Sequence, residues 1–91
     1  MDWRKIRMPE AIAEAGRIVT EAELVLDFGD EARGWMRFTV FEDLLSGGFF
    51  ARAQDLEDPR VKATVTADTP EEAFEACLRE AGVSLRRERG R

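Results

Sequence analysis

The run TADTPEEAFEACLREAG, residues 66 to 82, sets Asp68, Glu71 and Glu72 within a few positions of Cys77, the one cysteine of the chain. A thiol becomes a nucleophile when a neighbouring base or cation favours the thiolate, and the chain contains no histidine to act as that base. Cys77 also falls between Phe74 and Leu78 on a helical stripe, where a buried small hydrophobe is a better reading than a reactive thiol. Asp27, Asp43 and Asp68 are formal candidates for a metal-dependent nuclease, whose carboxylates must converge on two ions. Asp27 falls on a strand face, however, and the other two at turn and cap positions. A further cluster, Asp55, Glu57 and Asp58 in DLEDP, could attract Mg²⁺ or Ca²⁺ but lacks the EF-hand spacing and its glycine, so a solvated turn or a contact to a basic partner are the alternatives. Ser46-Gly47-Gly48 precedes a strand rather than a helix and reads as a turn, not as a phosphate cradle. Without histidine, and with one cysteine, there is no zinc set and no Ser-His or Cys-His pair. No catalytic, cofactor-binding or metal-binding residue is assigned, and an enzyme is not expected.

The elements that would carry these side chains must fit into 91 residues, enough for one domain with a thin core. With 44% hydrophobic and 36% charged residues, folding is expected over disorder. The formal net charge of −5 argues against direct DNA binding and suits a basic partner. The tail RRERGR, residues 86 to 91, runs the other way, with four basic side chains against Glu88; the residues before it hold ten basic side chains and eighteen acidic ones. The tail reads as a frayed, solvated end or as a basic arm. One cysteine cannot form an internal disulfide, the N-terminus lacks the apolar stretch of a signal peptide, and no run is long enough to span a bilayer. A cytoplasmic protein that avoids the membrane is the expectation.

Residues 9 to 15, PEAIAEA, predict a short helix ending at Gly16. Ile18, Thr20, Ala22, Leu24, Leu26 and Phe28 then alternate with Glu21, Glu23 and Asp27, the pattern of a half-buried strand. After the turn GDEARG, WMRFTVF continues as a second strand, with Met36, Phe38 and Val40 on one face, and completes an antiparallel hairpin. FFARAQ makes a third strand. RVKATVTA, residues 60 to 67, makes a fourth, whose Val61, Ala63, Val65 and Ala67 form a shallow floor for a helix. That helix opens with Thr69 as N-cap, Pro70 at its first position and Glu72 three residues past the cap, a capping box in which Asp68, Glu71 and Glu72 all have structural roles. Its stripe is Ala73, Phe74, Cys77, Leu78 and Ala81, Gly82 is expected to end it, and Val83-Ser84-Leu85 reads as a short edge strand. The fold class is α+β: an antiparallel sheet of about four strands with a helix packed on one face, in the order α-β-β-β-β-α-(β). Trp35 and Phe41 fall on the strand face away from Met36, together with Phe50. They form a second apolar surface, for self-association or a partner, unless the N-terminal segment covers it.

From about Met36 to Ala81 the order FTVF, LLSGGFFARA, DLEDPRVKATVTA, DTPEEAFEACL resembles the HicB-like antitoxin family. The resemblance implies a partial ribonuclease H-like αβ fold, a three-stranded antiparallel sheet crossed by a helix, without the nuclease's catalytic set and commonly dimeric or higher. It also implies a partner, since antitoxins of that family mask the small basic RNA-cleaving toxin HicA. Glu57-Asp58 stand where the family usually has Pro-Gly, and Ala67 where it usually has Gly. Nine residues follow Gly82, too few for the family's C-terminal DNA-binding module, so operator binding is not carried over. The chain is thus expected to be one domain, with residues 1 to 33 an added helix and strand, 34 to 85 a HicB-like core and 86 to 91 a basic tail. Its expected function is that of a non-catalytic protein-interaction domain with antitoxin-like masking of a small basic toxin. A free-standing oligomeric scaffold or regulatory domain is the alternative. Asp55, Glu57, Asp58, Trp35 and Phe41 are the expected partner-binding residues.

Overall fold

The computed structural model describes residues 16–29 and 32–89. The helix expected over 9 to 15 lies outside the described residues. Four strands, β1 (Gly16–Asp27), β2 (Arg33–Asp43), β3 (Phe49–Asp55) and β4 (Lys62–Ala67), precede one helix, α1 (Pro70–Arg89). The strands pair in chain order, each antiparallel to the next, and α1 packs across β2, β3 and β4. This is the expected α+β class.

The turns are built by aspartates and glycines. Asp27 accepts the Gly29 N–H at 2.8 Å, and Gly29 takes the left-handed φ of 65° that favours glycine. At the next turn Asp43 Oδ1 accepts from the N–H groups of Leu45 and Ser46, at 2.9 and 3.2 Å, while Gly47 turns the chain at φ 84°. These donors favour the ionised Asp43 and hold its carboxyl below its ordinary range, Leu45 contributing most.

Period-two alternation in β2 buries Met36, Phe38 and Val40 almost completely, against Ala51 and Ala53 of β3. From the helix come Ala73, Cys77, Ala81 and Leu85, all inaccessible to solvent. Small side chains on both surfaces let α1 approach the sheet closely, and Phe38 fills the remaining depth against Phe74, ring centroids 5.6 Å apart. The helix starts as its sequence predicts: the Glu72 N–H donates to Thr69 Oγ1 at 3.2 Å.

Three expectations need correction. Gly82 does not end the helix, which continues through Arg89, so Val83-Ser84-Leu85 is helical rather than a strand. The glycine leaves room for a close contact instead: a Cβ there would sit 3.0 Å from the Phe28 ring, which would have to shift. Leu85 extends the Cys77 and Ala81 stripe, and Ser84 Oγ accepts the Lys62 N–H at 3.3 Å. Second, the tail up to Arg89 is not frayed. The Arg86 guanidinium lies 4.6 Å over the Phe28 ring, and Arg89 reaches back to the sheet. Third, Ile18 does not share a face with Leu24. Ile18 pairs with Phe41 and Thr20 with Val40, so Val19 is an extra residue, a bulge that turns Ile18 to the other side of the sheet.

Candidate partner interface

One face of the sheet carries α1; among the described residues no element covers the other. The same alternation that buries Met36, Phe38 and Val40 turns Trp35, Arg37, Thr39 and Phe41 to that open face. Phe50 pairs opposite Phe41, and their rings stack at 4.7 Å and 14°. The Arg52 guanidinium lies 5.3 Å over Phe50 and 5.7 Å over Phe41, a cation on two aromatic faces. Toward β1, Arg37 bonds Glu23 at 2.9 Å, which holds the guanidinium above its ordinary pKa, and Thr39 donates to Glu21 at 3.4 Å. Toward β4 a shallow groove of ≈ 520 Å³ runs between Arg37, Phe41, Arg52 and Lys62. Trp35 is 50% exposed, with Val25 opposite it on β1 and Leu56 beside it, whose N–H donates to the Trp35 carbonyl at 2.9 Å.

The structure therefore brings Trp35 and Phe41 onto one surface, but it places the three acidic-turn residues differently from one another. Asp55 is buried: its Oδ1 accepts from the N–H groups of Glu57 and Asp58, at 2.8 and 3.0 Å, and from Arg89 at 3.0 Å. Asp58 forks onto Arg60 with two contacts of 3.1 Å, which draw its pKa down, and lies 3.8 Å from Arg89. Glu57 alone of the three is exposed. Asp55 thus joins the loop to the end of α1. Val25 and Leu56 were not among the expected contact residues; an apolar side chain inside an acidic turn was the available signal for Leu56.

Of the other chemistry-bearing groups, Asp43 and Asp68 line one groove together with Glu72, and neither Asp27 nor Cys77 is part of that lining. Cys77 Sγ lies 3.9 Å from the Ala63 carbonyl, and burial pushes the thiol up to about 11, the opposite of what a nucleophile requires. Asp27 pairs with Arg33 at one end of β2 and Asp43 with Gly16 at the other, which sets the two carboxylates roughly 30 Å apart at the usual strand rise. Among the described residues no three His, Cys, Asp or Glu side chains gather to hold a metal ion, and no helix is long and apolar enough to cross a membrane. No family model, curated protein or solved structure matches this chain.

Proposed function

We propose that this chain is a non-catalytic, HicB-like protein-interaction domain that self-associates and masks a small basic protein in the manner of an antitoxin. The observation that carries the reading is the open sheet face with its exposed Trp35 and stacked Phe41–Phe50 pair, opposite a face closed by α1. Partly exposed aromatic residues backed by a rigid sheet are what interface centres are made of. The order of motifs over residues 36 to 81 supports the family, and the arrangement of β2, β3, β4 and α1, three antiparallel strands crossed by a helix, is the one that the resemblance implies. Net charge of −5 steers a basic partner toward the chain. Glu21, Glu23, Asp27 and Glu57 are exposed carboxylates around the face, whereas Asp55 contributes by holding the loop in place.

The test is a pull-down with the tagged full chain, at low and moderate salt, followed by mass spectrometry. A small basic protein recovered in near-equal amount, and lost with Trp35→Ala or Phe41→Ala, is the expected result. Retention of that protein by both variants rejects the open face. Recovery of the bait alone as a homo-oligomer rejects masking and leaves the scaffold reading, which the edge of β1, unpaired among the described residues, favours.

A further inference from the structure

β1 is an edge strand, and along its 12 residues one side of the backbone has no strand beside it among the described residues. The other edge, β4, is 6 residues long. A long free edge is a row of N–H and C=O groups ready to pair with another strand, and proteins that keep such an edge solitary shorten it or arm it with charge. β1 carries Arg17, Glu21, Glu23, Asp27 and a bulge, yet it also presents Ile18, Val19 and Val25 at 57%, 44% and 52% exposure, three of the six large apolar side chains left exposed among the described residues. Its other face is also unfinished. α1 packs over β2 to β4, leaving Ala22, Leu24 and Leu26 only half-buried beside a groove of ≈ 530 Å³ lined by Leu26, Phe28, Leu78 and Gly82.

We propose that β1 pairs antiparallel with β1 of a second copy of this chain, about a two-fold axis at Ala22, joining the two sheets into one. The inference deepens the self-association reading above and rests on it. A second copy is favoured because β1 is complementary to itself about Ala22. The axis sets Val25 of one copy against Val19 of the other, with Ile18 joining the contact because the bulge turns it to the same face. Thr20 meets Leu24 on the helix side, while Arg17, which the bulge leaves on that side as well, stays bonded to Glu42 of its own chain at 2.9 Å. The one adverse pairing, Glu21 opposite Glu23, is offset within each copy by the Arg37 guanidinium bonded to Glu23. Such an interface is isologous and closes as a dimer, which consumes the free edge instead of propagating it.

Sedimentation equilibrium of the full chain tests the pairing. The native chain is expected at twice 10.3 kDa. Val25→Lys and Val19→Glu each place a charge against apolar side chains of the second copy and are expected to weaken self-association at least about 100-fold. Their circular dichroism should not change, because both positions are about half exposed in the single chain. Mixing the two variants is expected to restore a dimer, since the new ammonium group of Val25→Lys then faces the new carboxylate of Val19→Glu across the axis, and failure of the mixture to associate overturns the register. A native chain that is monomeric throughout overturns the self-association reading and this proposal together. A dimer that survives Val25→Lys but dissociates with Trp35→Lys overturns the edge pairing alone and moves the contact to the open face.

Discussion

The two faces of β2 are made by alternate residues of one strand, yet their surroundings are opposite. Met36, Phe38 and Val40 are at most 1% exposed, while Trp35, in the same strand, is 50% exposed. The open face also holds Arg37 and Thr39, but its Trp35 and Phe41 are as aromatic as the buried Phe38, so hydrophobicity alone does not decide which aromatic residues become core. The covering helix does. Alternation reports that a side chain points to one side of a sheet, and only the packed element decides whether that side becomes core.

The largest expected break in this comparison is Phe38→Ala. It removes a buried ring packed on Phe74 and should destabilise the fold by about 3 to 5 kcal/mol, a large part of the roughly 5 to 15 kcal/mol that holds a small domain folded. Trp35→Ala, in the same strand but on the open face, should stay within about 0.5 kcal/mol. Urea unfolding of both variants measures the difference. Equal losses would mean that the open face is covered in solution.

Arg89→Ala comes next. Asp55 is buried with its Oδ2 free of hydrogen bonds, and Arg89 supplies the positive charge against it while also donating to the Arg33 carbonyl at 3.0 Å. Removing the guanidinium leaves an uncompensated carboxylate at the junction of β2, the acidic turn and α1, at an expected cost of about 3 kcal/mol. A double-mutant cycle with Asp55→Asn sharpens the point: the second change should recover much of the loss if the buried charge is its source. Additive losses would reject the ion pair as the clamp. Thr69→Ala, which deletes the helix cap, should cost about 1 kcal/mol in the same denaturation assay.

The sequence is legible where a local rule coincides with the tertiary result. The alternation of Met36, Phe38 and Val40 matched their burial, and Thr69-Pro70-Glu71-Glu72 marked the helix start because capping is decided within one turn. The misses depended on distant residues. Gly82 looked like a helix stop, but its lack of a side chain serves the Phe28 ring, which packs there from the end of β1. Val19 carries nothing that announces a bulge, since only its pairing with β2 makes it the extra residue. Asp55 looked like one of three exposed acids, and its partner Arg89 lies 34 residues further along the chain. The open face was partly legible: the side to which Trp35 and Phe41 point followed from alternation, whereas the approach of Val25 and Leu56 to Trp35 required the register and the turn.

The smallest effect concerns acid, and it separates the turns from the core. Asp43 and Asp58 both have folded-state pKa values lowered by the hydrogen bonds they accept, Asp43 chiefly from the Leu45 N–H and Asp58 chiefly from the Arg60 side chain. A depressed carboxyl pKa contributes stability at pH values above the unfolded value, near 4, and that contribution disappears as pH falls through the folded value. Stability should therefore decline below about pH 4 through the turns, while the helix-covered core, built from groups that do not titrate there, contributes no slope of its own. Asp43→Asn keeps an oxygen for the Leu45 and Ser46 N–H groups but removes the titration. It should change stability little at low pH and flatten the acid slope, as read by thermal unfolding between about pH 2.5 and 5. Because the Arg60 guanidinium is largely exposed, salt should reduce the part that Arg60 contributes at Asp58 more than the part that backbone donors contribute at Asp43. A native chain with no acid slope would show that these turns do not hold their carboxylates in solution, and would leave the covered face of the sheet as the whole source of order.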